Sequence, residues 1–221
     1  MNNFVIILHI TELIACITGF IFFKNLKNSF LKYFPYYLLF IIIAESTGFI
    51  LKTAELKTAS KIWFNYLVIP VEFLFFYWIF YRSFAGTKYR VLPVVFSFFY
   101  IACWMTDIFL LSDMTFWFYS FSYTIGNLLL LILIFRYFFN LTQSDDILYF
   151  KNNMLFWISG GLLLFYLGTF PYYGLLNTIA YTQKEIHSIY RYVVIVLNAL
   201  MYLMFTFSFI WGKPNTKYSS S

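Results

Sequence analysis

With 221 residues, 62% of them hydrophobic and 26% aromatic but only 11% charged, the chain lacks the polar residues to cover a soluble domain, which usually has about 25% charged residues. Its net charge of +6 lies at the ends of apolar runs, with no basic tract or face, which argues for membrane orientation and against nucleic acid. Cys16 and Cys103 fall inside apolar runs and are expected to act as small hydrophobes, forming neither a disulfide nor a metal pair.

A helix needs about 20 apolar residues to cross a hydrocarbon core roughly 30 Å thick. Seven stretches qualify, near residues 4–23, 34–51, 62–81, 91–111, 116–139, 154–173 and 190–211. They predict an all-α polytopic membrane protein, a seven-transmembrane helix bundle forming a single domain over 1–221, with a short tail at 212–221. The first span carries His9 and Glu12. No basic residue precedes it, its apolar run is too long for a signal, and it lacks an Ala-x-Ala site, so it is read as a membrane helix. Leu13-Ile14-Ala15-Cys16 resembles a lipoprotein cleavage box, but the apolar run continues past it to Phe23.

The second span carries Glu45, with Lys52 at its end, and the third carries Asn65, Pro70 and Glu72. Pro70 removes a backbone donor and predicts a kink. Ser112-Asp113-Met114-Thr115 between spans four and five predicts a tight antiparallel turn. Span five bears a polar stripe of Ser120, Tyr123, Thr124 and Asn127, and Asp145 and Asp146 follow it as a solvated turn or helix cap. In span six, Ser159-Gly160-Gly161 and Gly168 put small residues where another helix can approach closely. Span seven carries Arg191 and Asn198. Trp63, Trp117, Tyr172, Tyr173, Tyr190 and Trp211 stand at span ends as interface anchors.

Placing the N-terminus outside puts Lys24, Lys27, Lys32, Arg82, Lys88, Arg90, Arg136, Lys151, Lys213 and Lys217 inside. The outer segments then hold only Lys52, Lys57, Lys61, Lys184 and Arg191, so the N-terminus is assigned outside and the C-terminus inside. The three lysines of the second loop oppose the rule.

Three glutamates within apolar spans need a common explanation, since each costs roughly 2.5–3.5 kcal/mol at bilayer depth. Counted from the outer surface, Glu12, Glu45 and Glu72 lie about seven to ten residues in, within one helical turn of each other in depth. Asn127 and Asn198 fall in the same band, and His9 shares a helix face with Glu12. The inner half of the spans offers little besides Ser159 and Ser208. This asymmetry predicts an outward-facing polar pocket that binds a ligand or protons, lined by Glu12, Glu45 and Glu72. His9, Asn65, Asn127 and Asn198 would be its hydrogen-bonding neighbours, and Arg191 or Lys52 a counter-charge. Three carboxylates in contact cannot all ionise, so at least one is expected to carry a proton at neutral pH. The plainer alternative makes the asparagines interhelical glue, worth about 0.6 kcal/mol each on average, and bonds each protonated glutamate to a tyrosine.

No catalytic residue is expected, and an enzyme is not the first expectation. The chain has no G-x-S-x-G elbow, His-Glu-x-x-His helix or phosphate loop, and no lysine in mid-span seven for a retinal Schiff base. A carboxylate-bridged metal site on His9, Glu12, Glu45 and Glu72 would lack the second Glu-x-x-His helix of di-iron bundles, so neither metal nor cofactor is expected.

Glu45-x-x-Gly48, Asn65-Tyr66 followed by Glu72, Phe156-Trp157-x-Ser159-Gly160-Gly161, and Asn198 followed by Met201-Tyr202 resemble uncharacterised seven-span membrane proteins of Bacteroidota-type bacteria. These are similar to the membrane input domains of some histidine kinases. The resemblance implies a bacterial inner-membrane protein of sensory or accessory type, with a separate signalling protein or a second copy of itself as partner besides the lipid bilayer. The alternatives are a small proton-coupled transporter using the same glutamates and an intramembrane enzyme acting on lipid.

Overall fold

The computed structural model describes residues 2–111, 119–176, 179 and 184–214. The expected turn at 112–115, Trp117, Lys217 and the tail beyond 214 lie outside the described residues, as do the side chains of Asp145 and Asp146. Seven long helices follow one another: α1 (Asn2–Ile21), α2 (Phe34–Thr53), α3 (Lys57–Ser83), α4 (Lys88–Leu110), α5 (Ser120–Thr142), α6 (Met154–Gly174) and α7 (Lys184–Trp211). Among the described residues there is no strand, and one isolated bridge pairs Asn153 with Lys213. The helices α2 to α7 are each long and apolar enough to cross a membrane, and α1 adds a shorter apolar stretch, Ile6–Ile21. The chain is therefore a multi-pass helical membrane protein, because in lipid a spanning helix satisfies its backbone groups internally.

The bundle closes on itself. α1 packs on α2 and α7, α6 on α5 and α7, and α4 on α3 and α5, while the first half of α3 leans on α2. α3 also touches α5 across the ring. The glycines of α6 do what their size predicts: a methyl group built on Gly161 would sit 3.2 Å from the Met201 carbonyl oxygen, and one on Gly168 would strike Leu197. The helix that approaches α6 closely is α7.

At the predicted inner end, each helix start has its own cap. Ser29 Oγ accepts from Leu31 N at 3.2 Å ahead of α2, and Thr87 Oγ1 accepts from Tyr89 N at 3.3 Å at the start of α4. Asn153 Oδ1 takes the N–H groups of Leu155 and Phe156 at 3.0 and 3.3 Å at the start of α6. The turn between α2 and α3 runs through Glu55 at φ 60, and the turn between α3 and α4 through Gly86 at φ 79.

The expected kink in α3 is a π-helical stretch, Trp63–Val68, lying just before Pro70. The Ile69 N–H bonds to the Phe64 carbonyl, five residues back. In that register the next acceptor is the Asn65 carbonyl, and its donor would be Pro70, which has no N–H. The Trp104 indole of α4 supplies the missing donor at 3.0 Å.

Candidate functional site

Below the glutamates the core is aromatic. Phe34, Phe73, Phe76, Tyr77 and Phe80 are all essentially inaccessible. Phe34 joins three helices, its ring centroid lying 5.0 Å from Phe205, 5.7 Å from Phe209 and 6.3 Å from Phe75. The phenylalanine rings pack by shape, and Tyr77 adds a hydrogen bond from its hydroxyl.

At the glutamate level the predicted polar layer resolves into two centres. In the first, between α1 and α2, His9 Nδ1 lies 3.3 Å from Glu12 Oε2 and 3.7 Å from Glu45 Oε2. One ligating atom from each of the three residues falls within 4.8 Å of the others. Glu12 and His9 meet because residues three apart share a helix face. Burial is graded across the trio: the Glu12 side chain is 1% exposed, Glu45 25% and His9 39%. The Glu12 and Glu45 carboxyls pair with each other, and Glu12 Oε1 has no donor among the described residues.

The second centre joins α3, α5 and α6. The Tyr166 hydroxyl donates to Glu72 Oε1 at 2.6 Å, and the Tyr166 carbonyl accepts from Asn127 Nδ2 at 3.1 Å. Beside it, the Tyr77 hydroxyl donates to the Gly126 carbonyl at 2.8 Å. The centres are neighbours: Glu45 and Glu72 interact electrostatically, and the hydroxyls of Tyr37 and Tyr202 lie within electrostatic range of all three carboxyls.

A cavity of about 790 Å³ opens onto the first centre. His9 and Glu45 line it together with Phe49, Phe64 and Ile69, and Lys52, Lys57 and Lys61 also border it. Lys52 and Lys57 are exposed, which puts the mouth at the end of the bundle where α2 passes into α3. A second, smaller cavity of about 480 Å³ lies at the opposite end, where Lys27, Lys32 and Arg82 surround Tyr33 and Trp78.

The remaining expected site residues divide. Asn65 borders the cavity, but its side chain serves the fold: Nδ2 donates to the Lys61 carbonyl at 3.0 Å and Oδ1 accepts from Tyr119 N at 3.2 Å. Asn127 ties α5 to α6, as interhelical glue would. Asn198 Oδ1 is buried without a hydrogen-bond partner. Arg191 acts on Tyr172, whose hydroxyl lies 3.1 Å from His187 Nδ1, and is not among the groups acting on the glutamates. Lys52, the other expected counter-charge, does border the cavity.

Asp107 is a fourth acid at depth that the sequence reading passed over. It ends α4 in a second π-helical stretch, Asp107–Leu111, and its buried Oδ2 accepts from Ser122 N at 2.6 Å. It caps α5 from a neighbouring helix, where a carboxylate also complements the helix dipole. The rule that singled out the glutamates, a lone ionisable group inside an apolar run, would have found it. Tyr166, by contrast, had no signal to distinguish it among twenty tyrosines. Searches against family models, curated proteins and solved structures returned no match to this chain.

Proposed function

We propose that this chain is a seven-span protein of the bacterial cytoplasmic membrane, N-terminus outside, that admits a small or lipidic ligand from the outer side and signals to a partner through its inner loops. One observation carries this reading: a roughly 790 Å³ cavity lined by His9, Glu45 and three lysines, beside a core of close-packed rings. Apolar walls between cationic and acidic groups suit an amphipathic ligand with an anionic or zwitterionic end. The close-packed rings beside it favour a binding pocket over a conduit, and the sensory role is the one implied by the resemblance to kinase input domains. A proton-coupled transporter is the second reading, favoured by the intramembrane carboxyls at the cavity.

The test is native mass spectrometry of gently extracted protein, paired with flux in reconstituted vesicles. Binding predicts a co-purifying molecule that is lost in Glu45→Gln, with no proton or solute flux in either protein. Flux by the wild type that Glu45→Gln abolishes would overturn binding in favour of transport.

A further inference from the structure

We propose that His9, Glu12 and Glu45 form a binding site for one divalent transition-metal ion of the zinc or manganese type. Ligands about 2.0–2.2 Å from a tetrahedral ion stand roughly 3.3–3.5 Å apart. The two His9-to-glutamate separations, 3.3 and 3.7 Å, are already of that size. The trio's outer limit of 4.8 Å leaves a side-chain adjustment of about 1 Å to complete the set.

A second observation points the same way. The Glu12 side chain is almost wholly buried; Oε2 faces His9, the carboxyl also pairs with that of Glu45, and Oε1 has no donor among the described residues. A carboxylate oxygen in that position costs stability unless something satisfies it. The ion-pair partner of Glu12 and of Glu45 among the described residues is His9, and the lysines near them border the cavity. A divalent cation balances two carboxylates and a neutral imidazole to zero net charge, which is what a low-dielectric site demands. His9 and Glu45 also border the cavity, so water or an incoming ligand can fill the coordination position that the protein leaves open. One nitrogen and two carboxylate donors favour zinc, manganese or ferrous iron over magnesium and calcium, which take oxygen alone.

Glu72 is outside the site because the Tyr166 hydroxyl holds it. The missing second Glu-x-x-His helix argues against a two-metal centre, not against a single ion. Metal binding is read without any organic ligand, so this site stands or falls separately from the signalling role proposed above.

The test is equilibrium zinc titration of the purified full chain against a chromophoric chelator, with cobalt as a spectroscopic stand-in for coordination geometry. The wild type is expected to bind one ion per chain, with magnesium failing to compete. His9→Gln and Glu45→Gln should each weaken binding by at least ~100-fold, beyond the usual loss when only a supporting hydrogen bond is removed. Glu72→Gln should bind as the wild type does, which separates ligation from a general loss of acidity or of fold. A folded wild type that binds no stoichiometric ion would overturn the site, as would equal weakening in Glu72→Gln and Glu45→Gln.

Discussion

The two ends of the bundle are built from the same helices but differ in order. At the arginine-bearing end, helix starts carry their own Ser, Thr or Asn caps, the rings of Phe34, Phe76, Tyr77 and Phe80 are buried, and the cavity beside Lys27, Lys32 and Arg82 is smaller, about 480 Å³. Arg136 there lies over the Tyr89 ring at 3.5 Å and Arg90 over Tyr81 at 4.6 Å, so the cations dock on aromatic faces. At the other end both π-helical stretches occur, α5 is capped by a neighbour's aspartate, and a large cavity reaches the carboxyls. The contrast is between self-capped helix starts and a cavity bordered by an interrupted helix ladder. Pro70 leaves the Asn65 carbonyl without its donor and Trp104 of another helix supplies one, while Asp107 of α4 caps α5.

The largest expected effect lies at the packed end. Phe34→Ala should cost about 2–3 kcal/mol in reversible unfolding, somewhat below the 3–5 seen in water, because lipid already solvates the ring in the unfolded reference state. The same variant should leave zinc affinity unchanged; a comparable loss in both would erase the distinction between the ends. Asp107→Ala comes next, at about 1–2 kcal/mol, with faster amide exchange confined to the first turn of α5.

Trp104→Phe should cost about 1 kcal/mol by leaving the Asn65 carbonyl without a donor. That cost should shrink in a Pro70→Ala background, where the alanine N–H can serve the carbonyl instead. A double-mutant cycle with no coupling would remove this account of the π stretch. Tyr166→Phe should be mildest, about 0.6 kcal/mol, as for an average interhelical hydrogen bond in a membrane.

The helices were legible from apolar run lengths, and the nearness of Glu12 and Glu45 from counting residues. The glycines of α6 announced a close neighbour, and the sequence order then makes α7 the nearest candidate. What stayed hidden was pairing around the helix axis. A few residues' depth is readable at 1.5 Å per residue, but rotation is set by packing against neighbours, so Glu72 could not be assigned to Tyr166 rather than to Glu45. The mending contacts were equally out of reach. Trp104 serves Asn65 and Asp107 serves Ser122 across gaps that no local pattern spans. Asp107 itself was visible in the sequence, and attention to glutamates alone passed over it.

Substituted-cysteine labelling tests the central asymmetry most directly, in vesicles of known sidedness with Cys16 and Cys103 replaced by serine. Glu45→Cys should react with a charged, membrane-impermeant thiol reagent applied from the Lys52 side and not from the Arg82 side, while Tyr77→Cys should resist labelling from both. An unreactive Glu45→Cys, or one labelled from the Arg82 side, would contradict the one-sided cavity.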